Sequence, residues 1–304
     1  MKDKNPRRNF VKSLMIAPTL CSLGTLEKIG TLNQTDQSKS SKLKTSLNAY
    51  SFNEPLRAKT MTLDDLLDYC AEHNFDGVDL TGYYFPGYPQ VPSDEYIYHI
   101  KRKAHLLGVS ISGTGIRNDF SNPDPNKRKE DIQLIKNWIE VAAKLGAPVL
   151  RIFSGEMIPK EFTWDQIAGW MVKDIRECVN YGQQHGVIIG IQNHDDFIKT
   201  ADDVIKIIKM VNHEWFGLIL DIGSYRKGDP YEQIKRTIPY AVNWQLKENM
   251  FVNGQQVKTD LNKVFKIIKD SGYRGFIPIE TLGKGDPKEK VAVFLQEVRT
   301  VLNQ

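Results

Sequence analysis

Four polar residues near the ends of short apolar runs are the strongest candidates for chemistry in this sequence. They are two amides and two carboxylates: Gln192, Asp221, Gln245 and Glu280. Short apolar runs that alternate with helical segments are typical of buried parallel strands. Because the carboxyl ends of the strands of a closed parallel barrel meet at one mouth, we expect these side chains to converge there as oxygen donors.

Further polar residues lie close to these four in the sequence. Side chains two positions apart on a strand share a face, so His194 is expected to point with Gln192, and Lys247 with Gln245. His194 has two possible roles that the sequence leaves open. It is a metal ligand or acid–base group, or it is a structural residue held by hydrogen bonds. Substrate contacts are expected from Tyr50, Arg151, Asn193 and Arg226. Arg226 is equally explained as a solvent-exposed charged residue of the loop.

The elements that would position these residues alternate regularly from residue 43 onward. Strands are predicted at 43–52, 77–82, 109–115, 147–153, 187–194, 216–223, 241–248 and 275–281. Helices are predicted at 62–74, 93–107, 127–145, 165–185, 200–212, 230–238, 260–271 and 287–302. Eight strand–helix units without a long break predict an α/β fold, a single (β/α)8 TIM barrel that spans residues 43–304.

Several predicted helix ends carry the residues that usually stabilise them. Thr62 and Thr163 precede acidic first turns and suit the N-cap position. Five glycines follow predicted helices, where a left-handed backbone costs glycine little: Gly77, Gly108, Gly146, Gly186 and Gly272. These signals support the predicted helix boundaries.

Composition and charge exclude several classes of function. The 304 residues are 40% hydrophobic, which suffices for a large core, and the net charge of +4 is spread along the helices. This charge distribution argues against nucleic acid as a partner. The three cysteines (Cys21, Cys70, Cys178) have neither metal-ligand spacing nor a disulfide pattern. No apolar stretch approaches the roughly 20 residues of a transmembrane helix.

The first 42 residues are predicted to lie outside the barrel. Residues 1–30 resemble a twin-arginine export signal, because Arg7 and Arg8 precede a short apolar segment from Ser13 to Leu20. Residues 31–42 are polar and Ser-rich and read as a linker. The sequence therefore predicts export to the periplasm by the twin-arginine route.

Residues 43–304 resemble the sugar phosphate isomerase/epimerase family of xylose isomerase-like TIM barrels. The motifs occur in order along the chain. Ile191–His194 resembles the family's Glu-Asn/Pro-His, and Leu220–Gly223 its Leu-Asp-x-Gly. Gln245–Glu248 resembles His-x-Lys-Asp, and Pro278–Glu280 the terminal Ile-Glu. The resemblance implies a divalent metal held at the positions of Gln192, Asp221, Gln245 and Glu280.

This sequence departs from the family pattern at two of those ligands, since glutamine stands in place of a Glu at 192 and of a His at 245. Gln192 has no titratable proton, so an epimerisation by two glutamates is not carried over. Amide and carboxylate oxygens still suit a hard cation, Mn²⁺ or Mg²⁺ before Zn²⁺. Glu280 or His194 would act as a single base, and Lys247 would stabilise a developing oxyanion.

The resemblance implies a metal-assisted isomerase or epimerase that acts on a small carbohydrate, a sugar or keto-sugar. One proton acceptor also suits a lyase that performs β-elimination on a 3-keto-glycoside. A third possibility is a non-catalytic sugar-binding barrel with a degenerate metal site. An abasic-site nuclease of the same superfamily would need a multi-zinc His/Glu cluster, which this sequence lacks. Homo-oligomerisation is compatible with the sequence.

Overall fold

Eight parallel strands close into a barrel in the computed structural model, which describes residues 43–156 and 158–303. The described strands are β1 (Leu43–Asn48), β2 (Gly77–Thr81), β3 (Ser110–Gly115), β4 (Val149–Phe153), β5 (Ile188–Gln192), β6 (Phe216–Asp221), β7 (Ala241–Lys247), β8 (Asn249–Val252), β9 (Gln255–Lys258) and β10 (Gly275–Glu280). The barrel order is β1-β10-β7-β6-β5-β4-β3-β2, while β8 and β9 form a separate antiparallel hairpin. The predicted (β/α)8 barrel is confirmed.

Helices connect successive barrel strands. They are α1 (Asn53–Arg57), α2 (Leu63–Glu72), α3 (Asp94–Leu106), α4 (Pro125–Leu145), α5 (Trp164–His185), α6 (Ala201–Val211), α7 (Pro230–Thr237), α8 (Leu261–Ser271) and α9 (Pro287–Leu302). Thr62 and Thr163 form capping boxes with Asp65 and Gln166, as their positions predict. Each barrel strand after β1 therefore begins after a helix, and the eight barrel strands end at the same mouth.

Alternation along the strands separates an apolar layer from a polar interior. The side chains of Trp244, Leu246 and Ile279 are fully buried in the core. The opposite parity carries polar groups such as Gln245 and Glu280. This is the inward face of the barrel, so the polar groups at the carboxyl ends of the strands point into its mouth.

Two predicted features differ in the structure. β1 ends at Asn48 and continues as a 3-10 turn, in which the backbone N–H of Tyr50 donates to Asn48 Oδ1 at 2.9 Å. Tyr50 therefore lies beyond the strand rather than on it. Gly77 does not cap a helix but begins β2, and a Cβ there would lie 2.7 Å from a ring carbon of Phe276. Gly77 is therefore required for close packing.

The β8–β9 hairpin, residues 249–258, was not predicted from the sequence. The hairpin turns at Asn253 and Gly254, both with positive φ. Asn-Gly is the usual signal for a two-residue hairpin turn, so the information was present. It was obscured because β9 is exposed throughout and shows no apolar alternation.

No helix among residues 43–156 and 158–303 is long and apolar enough to cross a membrane. The predicted export signal at 1–30 and the predicted linker at 31–42 lie outside the described residues.

Candidate active site at the barrel mouth

The structure brings Gln192, Asp221, Gln245 and Glu280 together at the carboxyl ends of β5, β6, β7 and β10. Each is at most 6% exposed. Gln192 Nε2 donates to Asp221 Oδ2 at 2.9 Å and to Gln245 Oε1 at 2.8 Å. The strand ends thus assemble two carboxylates and two amides into one buried cluster.

Asp221 is the most firmly held member of this cluster. Its Oδ1 accepts the backbone N–H of Gly223 at 2.9 Å, and its Oδ2 accepts the hydroxyl of Ser224, also at 2.9 Å. Asn193 fixes the backbone of the same residue, since its amide donates to Asp221 O and accepts from Asp221 N. Asn193 is 1% exposed, its amide is engaged in this way, and it lines neither of the cavities described below, so its contact with substrate stays a prediction.

Lys247 supplies a positive charge to both carboxylates. Its Nζ lies 2.5 Å from Glu280 Oε1 and 3.5 Å from Asp221 Oδ2, and its side chain is 11% exposed. Burial alone would lower the pKa of the Lys247 ammonium, but Asp221 and Glu280 together raise it. The lysine is therefore a buried cation paired with two anions.

The amide of Gln245 fits this cluster in two orientations. In one, its Oε1 lies 3.2 Å from Asp221 Oδ2 and 3.3 Å from Glu280 Oε2, which brings three oxygens together. In the other, the amide nitrogen occupies that position and donates to both carboxylates, while the oxygen accepts from Asn48 Nδ2 at 3.2 Å. This second orientation removes the hydrogen bond from Gln192, because two amide nitrogens then lie 2.8 Å apart. The first orientation suits a hard cation and the second suits a site without one.

These donors fit a hard divalent ion better than zinc. The described residues contain no group of three or more His, Cys, Asp or Glu side chains arranged to hold a metal. A metal here would therefore depend on the amide oxygens of Gln192 and Gln245, together with Asp221 and Glu280. Gln192 would have to turn its amide to take part, because its Nε2 faces Asp221 Oδ2 and Gln245 Oε1. Amide oxygens are ordinary ligands for Mg²⁺, Mn²⁺ or Ca²⁺ but not the N and S donors that Zn²⁺ prefers.

His194 lies just beyond β5, at the rim of the mouth. Its side chain is 42% exposed, and its Nδ1 lies 2.8 Å from Asp196 Oδ2. The ring packs edge-on against Phe153 with centroids 4.9 Å apart. An imidazole oriented by a carboxylate on one nitrogen leaves the other nitrogen for proton transfer.

Arg151 forms the opposite wall of the mouth. It is 7% exposed, its Nη1 donates to the hydroxyl of Tyr83 at 2.9 Å and to Ile116 O at 2.7 Å, and its guanidinium covers the ring of Phe153. Burial alone would lower the pKa of Arg151, but Tyr83 and the buried carboxylate Asp79 raise it. The guanidinium therefore faces the mouth in a fixed orientation.

Asp79 was missed by the sequence analysis. It lies on β2, is 7% exposed and accepts a hydrogen bond from Asn243 Nδ2 at 3.3 Å. Burial raises the pKa of its carboxyl to about 6, while the charge of Arg151 partly opposes this rise. A single acid between two aliphatic residues in Val78-Asp79-Leu80 was the signal that could have identified it.

Two cavities open beside Glu280. The inner cavity, about 200 Å³, reaches Gln192, Gln245 and Arg151, and its rim includes Tyr50. The outer cavity, about 230 Å³, extends under the β8–β9 hairpin. Both are lined by His194, Lys247, Glu280 and Leu282. The mouth is thus divided into two compartments that share the candidate base and the cation.

Arg226 belongs to the outer cavity. Its Nε lies 3.1 Å from Asp195 Oδ2, its guanidinium lies 4.6 Å from the ring centroid of Phe251 on β8, and 55% of its side chain is exposed. The contact with Phe251 connects the loop after β6 to the hairpin. Phe251 was another residue that the sequence analysis missed, because the hairpin itself was not predicted.

Comparison with known proteins identifies the fold and a family. The profile of the xylose isomerase-like TIM barrel family matches residues 67–298. The chain is similar in structure to a D-psicose 3-epimerase from Clostridium cellulolyticum H10, with a TM-score of 0.70, 17% identity, and coverage of 85% of this chain and 99% of that one. The comparison with curated proteins found no match.

Two further structures have the same fold. A 3-keto-D-glucoside 4-epimerase from E. coli gives a TM-score of 0.69 at 13% identity and covers 85% of this chain and 100% of its own. The IOLI protein, whose structure contains a zinc atom, gives a TM-score of 0.68 at 17% identity and covers 85% of this chain and 97% of its own. These likenesses establish the barrel, while the activity is argued from the residues of the mouth.

Proposed function

Because this chain belongs to the xylose isomerase-like TIM barrel family, we propose that it is a sugar isomerase or epimerase that moves a proton on the carbon beside a carbonyl group. The observation that carries the proposal is the contact between Glu280 and Lys247 on the inner cavity, where a carboxylate base and an ammonium lie 2.5 Å apart. The structural neighbours that are ketose and keto-glucoside epimerases support a carbohydrate substrate.

The proposed reaction uses one base and one cation. The Glu280 carboxylate accepts the proton from the carbon next to the carbonyl, and Lys247 donates a hydrogen bond to the oxygen on which negative charge develops. His194 at the rim returns a proton to the resulting enediol(ate), on the carbon required by isomerisation or epimerisation. Gln192 takes no part in proton transfer, because an amide is neither an acid nor a base near neutral pH.

A divalent ion would be held by Gln192, Asp221, Gln245 and Glu280, and we propose Mn²⁺ or Mg²⁺ because all four donors are oxygens. When bound, such an ion would polarise the substrate carbonyl as a Lewis acid. Arg151 and Tyr50 line the inner cavity and would orient the sugar hydroxyls. Arg226 is assigned to the outer cavity instead.

The proposal is tested by incubating the protein with ketohexoses and 3-keto-glucosides, with and without Mn²⁺ or Mg²⁺. We expect the wild type to convert at least one of them and Asp221→Asn to lose about 100-fold or more in kcat/KM, because Asp221 holds both Lys247 and Gln192 in place. Bound metal, measured by elemental analysis, should fall with it. Asp270→Asn, which changes an exposed ion pair on α8, is the matched control.

An inactive wild type that binds sugars would instead favour the non-catalytic binding barrel. Equal metal content in Asp221→Asn and wild type would contradict the metal assignment. Circular dichroism of both variants establishes that the barrel remains folded. A loss of activity is then due to the change at the active site and not to unfolding.

A lyase that acts on a 3-keto-glycoside is the second candidate, and the outer cavity favours it. Each cavity alone is smaller than the roughly 300 Å³ at which ligand pockets begin, and the two compartments together exceed that size. A glycoside would place its keto-sugar in the inner cavity and its second group beside Phe251. Glu280 would remove the proton, and His194 would protonate the leaving oxygen.

This arrangement predicts a selective effect of Phe251→Ala. We expect kcat/KM for a keto-glycoside to fall about tenfold through loss of the apolar contact, while that for a ketohexose changes less than about twofold. Val257→Ala on β9 is the control, because Val257 belongs to the same hairpin but does not line the outer cavity. Equal losses for both substrates would argue against a second subsite.

Export to the periplasm by the twin-arginine route remains a proposal that rests on residues 1–30 of the sequence. Fractionation of cells that express the full chain, with Arg7 and Arg8 both replaced by Lys as the comparison, tests it. Retention of the double variant in the cytoplasm is expected.

A further inference from the structure

Lys247 occupies the position from which a cation would contact the two buried carboxylates. Its ammonium contacts Glu280 Oε1 at 2.5 Å and Asp221 Oδ2 at 3.5 Å. These are the two charged members of the proposed metal site. The side chain is also confined, because Lys247 Cγ lies only 2.8 Å from where a Cβ of Gly223 would be. The absence of a side chain at position 223 thus leaves the space through which the lysine reaches the carboxylates.

Gln245 can adapt to either kind of cation. With its oxygen turned toward Asp221 and Glu280 it adds a third acceptor, as a metal requires. With its nitrogen turned toward them it donates to both carboxylates, but it then lies 2.8 Å from Gln192 Nε2 and loses the hydrogen bond that this nitrogen donates to Gln245 Oε1. A histidine, which the family resemblance leads one to expect at this position, lacks an amide that can exchange an oxygen for an N–H donor in this way.

We propose that the ammonium of Lys247 and a divalent metal ion compete for the Asp221–Glu280 carboxylate pair. The proposal rests on the metal site of the proposed function. Two carboxylates balance one divalent ion, but they cannot also retain the lysine without placing two cations side by side in a buried site. Metal binding therefore displaces Lys247, and Gln245 presents its oxygen to the ion.

Displacement has a consequence for the substrate. Lys247 lines both cavities, so the ammonium that leaves the carboxylates remains at the mouth. There it can donate to a substrate oxygen, which is the role that the proposed reaction assigns to it. The lysine thus pairs with the carboxylates when no metal is bound and donates to the substrate when a metal is bound.

The test measures metal binding rather than turnover. Purified full-length wild type, Lys247→Met and Lys247→Gln are titrated with Mn²⁺ at fixed pH by calorimetry and by thermal shift. Competition predicts that both variants bind Mn²⁺ roughly tenfold or more tightly than the wild type, because no ammonium has to be displaced. Lys247→Gln retains a neutral hydrogen-bond donor, so it keeps the comparison possible if Lys247→Met does not fold.

Two controls separate competition from a general effect of removing a lysine. Lys247→Arg keeps the charge and should bind Mn²⁺ no more tightly than the wild type. Lys103→Met removes a lysine that likewise contacts two carboxylates, Asp64 and Asp68, but on the outside of the barrel, and it should not change the affinity.

Equal Mn²⁺ affinity in the wild type, Lys247→Gln and Lys247→Met overturns the proposal, as does the absence of binding in all of them. Failure of the proposed function gives a different result. A wild type that converts no sugar, together with variants that bind Mn²⁺ more tightly, would leave the competition standing and remove only the activity.

Discussion

Glu280→Gln is expected to lower kcat by about 10²- to 10⁴-fold, the usual contribution of a general base, while the barrel remains folded. The substitution keeps the size of the side chain and its hydrogen-bonding oxygen but removes the proton acceptor. Lys247 retains its second partner, Asp221, so the buried ammonium is not left unpaired. The loss should therefore appear in turnover rather than in folding.

The matched control for this prediction is Glu297→Gln. Glu297 also pairs with a lysine at 2.5 Å, Lys258, but on α9 and away from the mouth. Steady-state kinetics and circular dichroism on the two variants give the comparison. If Glu280→Gln retained more than about one tenth of the wild-type kcat, the assignment of Glu280 as the base would be wrong.

Asp79→Asn is expected to stabilise the protein at pH 7 to 8 by up to about 3 kcal/mol, or a rise in Tm of roughly 5–10 °C. Burial raises the pKa of Asp79 from 3.8 to about 6, with Arg151 partly opposing it. The native state therefore holds this proton more tightly than the unfolded chain. The stability of the folded protein therefore falls as the pH rises from about 4 to about 6. Above that range the full cost of ionising the buried Asp79 carboxyl is present.

An asparagine at position 79 avoids this ionisation cost and keeps an oxygen that can accept from Asn243. The advantage of Asp79→Asn should therefore shrink as the pH is lowered from 7 to 4. Thermal unfolding of wild type and variant across this range measures it, with Asp270→Asn, an exposed carboxylate, as the control. A variant that is less stable than the wild type at pH 8 would show that the Asp79 charge stabilises the fold.

The barrel could be predicted from the sequence because its strands repeat one physical pattern. Each inward-facing polar group, such as Gln245, lies between outward-facing apolar ones, such as Trp244 and Leu246, and both sets are buried as parity requires. The closure of eight parallel strands then brought the four strand-end residues together. At Gly77 the local sequence suggested a helix cap. The glycine is explained instead by its close packing against Phe276, which is distant in the sequence.

The contacts within the mouth could not be predicted in the same way. Parity places Lys247 and Glu280 on the inward face, but the 2.5 Å contact between them depends on how long side chains cross the barrel. A polar residue after a strand can contact the substrate or the backbone, and the sequence does not show that the amide of Asn193 bonds to the backbone of Asp221. Which group a polar side chain contacts depends on the tertiary structure and not on the local sequence.

The two glutamines define how this mouth differs from the pattern that its family resemblance implies. Gln192 donates to Asp221 and Gln245 instead of presenting a second carboxylate, and the nearby charge comes from Lys247. A reaction that needs two buried carboxylate bases at 192 and 280 is therefore not available. One base at Glu280 and a proton donor at the rim are consistent with these residues.

The most direct test of this account is conversion of a keto-sugar substrate by the wild type in D₂O. Glu280 removes the proton beside the carbonyl, and the half-exposed His194, which exchanges with solvent, returns one. Mass spectrometry and NMR should therefore find deuterium on the carbon that receives the returned proton, which is the same carbon in an epimerisation and the former carbonyl carbon in an isomerisation. The label should be absent with Glu280→Gln. Product that forms without any deuterium on the carbon that receives the proton would contradict the account.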